Sequence, residues 1–284
     1  MKPSRREGFA LQMRERRDGK NEFGEVASFE RRTGVRKVNA MSELPPLRDF
    51  PLFASLDEAT LHRLTLDAKV ETYSDGDVIF RQGDAVAAIM LIVRGFVKLL
   101  RTAPCGDETL VSIRSDGASV NDAPTVAGEA FHVSAEAVGP TSILKLPAGR
   151  FARLMSESPA LAAAALDDAK RKIAELIGEI ESLKAQSADR RLARFILSLC
   201  PANTDSCRFR LPYDKRLVAA QLGVTQETLS RSFARLREFG VRTETRDVSV
   251  ESVTRLCLQY DELGRQGLPY PSGGRRSEDG RDAV

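Results

Sequence analysis

The chain has no tryptophan, only two histidines and only four cysteines in 284 residues. With no cysteine and histidine cluster at zinc-like spacing, no phosphate-cradling P-loop and no G-x-S-x-G nucleophile elbow, it offers no catalytic constellation, and an enzyme is not expected. Four cysteines spread so thinly make no disulfide framework, which agrees with a reducing compartment. No apolar run approaches the ~20 residues a membrane span needs, and the N-terminus is charged throughout rather than signal-like, so a cytoplasmic protein with no membrane partner is expected. What is present is a hydrophobic content of 42%, enough to bury a core in more than one domain.

The net charge of +3 hides a polarised distribution, for residues 41–186 sum to −6 whereas 187–246 sum to +6. The basic segment contains LVAAQLGVTQETLSRSFARLREFG, residues 217–240, which reads as a helix-turn-helix. Leu217, Val218 and Leu222 give a short apolar helix face, Gly223 can turn sharply without a Cβ penalty, and Thr225 stands where an N-cap is needed. In the second helix Leu229, Phe233 and Leu236 face inward together, which leaves Gln226, Glu227, Ser230, Arg231 and Arg235 outside. An arginine can bond a guanine edge and a glutamate can accept from a cytosine amino group. Glu227 and Arg231, one turn apart, can therefore address one G·C pair, with Ser230 near a neighbouring base. The plainer reading is an amphipathic helix with solvated charges. The glycine turn and the cap in register, inside the basic segment, favour double-stranded DNA as the partner.

Upstream, residues 1–44 are arginine-rich without periodicity and read as a disordered basic tail, or as an over-extended start of the reading frame. Residues 45–157 are expected to form one domain. It begins with a short helix over 52–66 capped by Ser55. Short β-rich runs follow at 70–73, 78–80, 89–93, 97–100, 109–113, 132–138 and 142–146, punctuated by glycine turns that include Gly95, as in a β-barrel or jelly roll. Residues 158–186 read as one long helix. Leu166, Ala169, Ile173, Leu176, Ile180 and Leu183 are spaced 3, 4, 3, 4, 3, a heptad seam that suits a parallel homodimer. A helix packed on its own barrel could show a similar stripe. Ser187 is the expected cap after a hinge, and 187–263 the expected DNA-binding domain. It holds an extended link at 209–212, a β-hairpin wing turning at Arg246-Asp247, and a last helix marked by Val253, Leu256, Tyr260 and Leu263. Residues 264–284 read as a flexible tail.

This order, a jelly-roll barrel, a long dimerisation helix and a C-terminal winged helix-turn-helix in an α+β chain, resembles the CRP/FNR superfamily of bacterial transcription regulators over residues 45–263. VIFRQGDAVAAIMLIVRGFVKLL at 78–100 looks like that family's effector-barrel (cNMP-binding-like) signature, and ETLSR at 227–231 like its recognition helix. Glu227, Ser230 and Arg231 match the E-x-x-S-R of the FNR and DNR (denitrification regulator) type. The resemblance implies a TTGAT-N4-ATCAA palindrome and RNA polymerase as a partner. A cyclic-nucleotide barrel of this kind needs a glutamate for the ribose and an arginine and serine for the phosphate. The matching positions hold Asn121, Phe131 and His132, so cAMP is not expected. Residues 1–60 hold no cysteine, so the iron-sulfur cluster of the FNR branch is not expected either.

The segments SADRRLARFILSL and CRFRLPYDKRLVAAQL resemble the DNR group. This implies nitric oxide sensing, control of denitrification genes, and haem as a candidate cofactor with His132 as its candidate axial ligand. The alternatives are an effector-independent activator of the FixK branch, in which Cys200 and Cys207 become candidate redox switches, and a cyclic-nucleotide-type signalling module. Residues 214–250 argue against the last.

Overall fold

The computed structural model describes the backbone of residues 36–38 and all of 47–121, 129–201 and 204–260. Residues 36–38, expected within a disordered tail, form a strand paired to the barrel, while the rest of both expected tails, Leu263 and residues 122–128 lie outside the described residues.

Strand β1 (Arg36–Val38) precedes two short 3-10 turns, Leu47–Asp49 and Pro51–Phe53, and helix α1 (Glu58–Thr65). The single helix expected over 52–66 is thus divided, and its cap is Asp57 rather than Ser55. Pro51 opens a 3-10 turn that buries Leu52 and Phe53, and the Asp57 carboxylate accepts from the Thr60 N–H at 2.8 Å.

Strands β2 (Lys69–Tyr73), β3 (Val78–Phe80), β4 (Ala88–Thr102), β5 (Glu108–Ser115) and β6 (Ser134–Pro147) form with β1 an antiparallel sheet of order β1-β2-β6-β4-β5, with β3 also on β6. The runs expected at 89–93 and 97–100 are one strand, as are those at 132–138 and 142–146. Gly95 does not end β4. It sits at φ +102 where the pairing with β6 shifts register, and a Cβ there would lie 2.6 Å from the Pro140 carbonyl. The glycine permits a bulge and the ladder continues beyond it. Alternate residues separate two cores. Ile92, Val97 and Ile143 face an interior with Tyr73, Phe80 and Phe131, while Leu91, Leu144 and Leu146 pack on the helices outside.

Helix α2 (Ala148–Glu157) leads into α3 (Pro159–Ala185), 27 residues long and capped by Ser158 with Pro159 at its start. Leu161 and Ala165 pack on the barrel's outer core, and Lys172 is buried beside Asp168 and the Ser119 hydroxyl. Helix α4 (Ala188–Leu199) has Ser187 as its cap, accepting from the Arg190 N–H at 3.2 Å. Strand β7 (Cys207–Arg210), helices α5 (Lys215–Gln221) and α6 (Gln226–Leu236), strands β8 (Val241–Glu244) and β9 (Asp247–Val250), and helix α7 (Val253–Tyr260) complete the described chain.

The stretch read as a link at 209–212 is therefore partly a strand, the third of a β7-β9-β8 sheet. The wing turns at Thr245-Arg246, one residue before the expected place, because Glu244 pairs with Asp247 across a two-residue loop and Thr245 takes φ +50. Phe96, Leu110 and Ile113 of the barrel sheet join Leu192, Phe195, Leu229 and Phe233 in the C-terminal core.

Candidate nucleic-acid interface

Helix α5 starts at Asp214, whose carboxylate accepts from the Leu217 N–H at 2.8 Å, and ends at a turn in which Gly223 has φ +63. A Cβ at Gly223 would also lie 2.7 Å from a methyl of Leu183, but that methyl ends a half-exposed side chain that can turn aside, so it is the backbone conformation that calls for glycine. The Thr225 hydroxyl then accepts from the Thr228 N–H at 3.1 Å and starts α6. Leu229, Phe233 and Leu236 are buried, as their spacing predicts. Gln226, Glu227, Ser230, Arg231 and Arg235 all lie on the exposed side.

These five are not equivalent. Glu227 and Arg231 form an ion pair of 2.5 Å with 73% and 69% of their side chains exposed. Such an exposed i, i+4 pair adds little stability and leaves both groups in reach of a base edge. The Arg235 guanidinium instead turns back to α4, where Nε and one terminal nitrogen donate to the two Asp189 oxygens at 2.5 and 2.7 Å. Its fork thus already has a carboxylate partner on another helix, which sets it apart from the other four.

Two features escaped the sequence reading. Arg208, Ser249 and Arg242 pair across the wing sheet, so they share one face, and with Arg237 they rim an open groove of about 690 Å³. Alternation along strands this short, one of them unrecognised as a strand, gave only a faint signal. Arg191 is buried at 8% exposure and donates to the Gln186 carbonyl at 2.6 Å and the Leu222 carbonyl at 2.9 Å. One guanidinium thus satisfies carbonyls at the end of α3 and at the helix-turn-helix turn. Its place on the inward face of α4, beside Leu192 and Phe195, was the available clue.

On α3 the seam residues Leu166 (57%), Ile173 (58%), Leu176, Ile180 and Leu183 are exposed, and Ile177, which the strict seam omitted, is 60% exposed beside them. Ala169 is half-buried.

The expected effector pocket is different from its sequence reading. Asn121 is buried, but its amide is engaged by the barrel's own backbone, accepting from the Met90 N–H at 2.9 Å and donating to the Ala88 carbonyl at 3.1 Å. Phe131 stacks on Phe80 with centroids 3.7 Å apart and fills the interior. His132 is exposed at a bend before β6 rather than on a strand lining the pocket, and His62 is exposed on α1. Neither histidine is placed to ligate a haem inside the barrel. The two histidines therefore do not fit that cofactor inside the barrel, and His132 does not line the interior that would hold it.

Residues 70–158 match the cyclic nucleotide-binding domain, and residues 190–258 match the Crp-like helix-turn-helix domain. The nitrogen fixation regulation protein FixK of Bradyrhizobium diazoefficiens is 25% identical over 198 residues, 68% of this chain and 82% of its own length. The transcriptional activator Anr of Pseudomonas aeruginosa is 26% identical over 189 residues, 64% of this chain and 76% of its own. Among solved structures, a Ruegeria pomeroyi protein provisionally described as cyclic nucleotide binding is 34% identical, covers 75% of this chain and 95% of its own, and superposes with a TM-score of 0.59.

Proposed function

Given that the chain belongs to the CRP/FNR superfamily of DNA-binding transcription regulators, we propose that it binds a TTGAT-N4-ATCAA palindrome as a homodimer, with Arg231 and Glu227 on the G·C pair of each half-site. The observation that carries this reading is the α6 face, where Glu227 and Arg231 are paired to each other at 2.5 Å and otherwise open to solvent. A preformed pair of this geometry offers a donor fork for guanine and an acceptor for the cytosine amino group opposite. Ser230 and Gln226, exposed on the same helix, take neighbouring positions. Arg208 and Arg237 serve the phosphates, which carry affinity and not sequence, while Arg242 beside them is paired to Glu251 at 2.9 Å. The exposed seam of α3 supports a second copy as its cover, since two recognition helices can then meet half-sites one helical turn apart.

The barrel serves this dimer as an effector-independent support. Phe131 on Phe80 and the backbone-bound amide of Asn121 favour this over a haem-based or nucleotide-gated switch. The names of two relatives, a nitrogen fixation regulation protein and a transcriptional activator, support nitrogen-related genes as targets and activation as the outcome, and the resemblance of residues 187–199 and 207–222 to the DNR group supports denitrification genes among them. Titrating the full chain into the palindrome and into a duplex with the two G·C pairs exchanged for A·T tests the reading. A loss of roughly 1–3 kcal/mol per altered pair is expected, and equal binding to both duplexes would refute it.

A further inference from the structure

The groups on the first turn of α4 point in two directions at once. Arg191 holds carbonyls of the α3 end and of the helix-turn-helix turn, and Asp189 holds the far end of the recognition helix through Arg235. The Asp189 side chain is only 17% exposed, and the Ser232 hydroxyl, buried on the inner face of α6, lies 3.4 Å from the same arginine. Asp189, Arg235 and Ser232 thus form one polar node between the hinge helix and the back of the recognition helix. We propose that Arg235 is a positioning residue of DNA reading, which fixes α6 to the hinge helix through its fork on Asp189, and that it makes no phosphate contact of its own.

Three observations support the assignment. The pairing is fork to fork, with two parallel N–H donors on two oxygens, the arrangement in which arginine gains most over a point charge. Burial alone would push the Asp189 carboxyl up, yet donation from Arg235 and Ser232 holds it below the usual carboxylate range, so it stays an anion wherever the protein is folded near neutral pH. Arg208 on β7 and Arg237 just after α6 have no such carboxylate fork among the described residues and remain open for phosphate, whereas Arg242 on the wing donates to Glu251 at 2.9 Å. Consequently a shift of α4 at the Ser187 hinge is delivered to α6 at both ends, by Arg191 at the turn and by Arg235 at the last helical turn.

This rests on the DNA-reading proposal above, and the test separates the two. Operator affinity and its salt dependence are measured for the full chain and for the Asp189→Ala, Arg235→Ala and Arg235→Lys variants and the Asp189→Ala/Arg235→Ala pair, with thermal unfolding as a check on folding. Each single variant is expected to weaken palindrome binding about tenfold, and the double variant no more than either single one, because the two side chains act as a unit. The slope of log affinity on log salt should stay at its wild-type value. Lysine keeps the charge but not the fork, so wild-type affinity in Arg235→Lys, tighter binding in Asp189→Ala, or a salt slope reduced by about one in Arg235→Ala would overturn the proposal. If the wild type does not distinguish the palindrome from a scrambled duplex, the DNA-reading proposal fails. The salt slopes on the scrambled duplex still decide whether Arg235 touches phosphate.

Discussion

Helices α3 and α6 each leave a face open to solvent, but α3 exposes Leu166, Ile173, Leu176, Ile177, Ile180 and Leu183, whereas α6 exposes Gln226, Glu227, Ser230 and Arg231. The first turns of α3 pack on the barrel through Leu161 and Ala165, and the opposite flank of α6 packs on the C-terminal core. The difference separates two kinds of partner. Half-exposed aliphatic side chains cost on the order of 1 kcal/mol each while they face water, so the α3 stripe is best satisfied by another apolar surface. Polar side chains on α6 lose nothing in water and can exchange it for base edges. On the proposed reading the seam sets geometry and the recognition face sets sequence, so that each should be open to disturbance without the other.

The largest effect is expected from Ile173→Asp, which would place a charge from each copy in the middle of the seam. An unpaired charge there costs about 3–5 kcal/mol, so the dimer should dissociate at micromolar concentration in sedimentation velocity while the monomer keeps its secondary structure. Arg231→Ala should leave the dimer intact and cost roughly 1–3 kcal/mol on the palindrome, with preference lost at the G·C pair alone, as read by competition between duplexes. Thr225→Ala removes the cap of α6 and should lower stability by about 1 kcal/mol in chemical denaturation, weakening DNA binding without relaxing its preference.

The smallest expected effect concerns pH. The Asp57 carboxyl is held below its ordinary value by the Thr60 N–H and hydroxyl. Its capping contribution is therefore present above the ordinary carboxylate range and is lost as pH falls through the lowered pKa. Asp57→Asn should flatten that acid limb of the stability profile and leave operator binding at neutral pH unchanged.

Wherever local chemistry determined structure, the sequence was readable. Thr225 and Ser187 cap the helices they were expected to cap, Gly223 makes the turn, and Leu229, Phe233 and Leu236 are buried. The heptad spacing found the exposed stripe of α3 but not its width, because Ile177 lies just outside strict period and only the folded helix shows it uncovered. Glycine misled in β4, since Gly95 reads as a turn in sequence and functions as a bulge when a neighbouring strand continues the ladder.

The remainder depended on residues distant in sequence. Asp189 meets Arg235 across 46 positions, and Arg191 meets Leu222 across 31. Nothing local distinguishes these arginines from those on the wing. His132 was placed in the pocket by alignment to a strand that begins two residues later, at Ser134, and the bend before it sends the imidazole outward.

The central claim, that the apolar seam and the polar face act together as one reader of a palindrome, is tested most directly by the stoichiometry of the complex. The full chain would be sedimented with a fluorescent duplex carrying the whole TTGAT-N4-ATCAA site and with one carrying a single half-site. The account predicts two chains on the palindrome and far weaker binding to the half-site. One chain per duplex, with equal affinity for both, would contradict it.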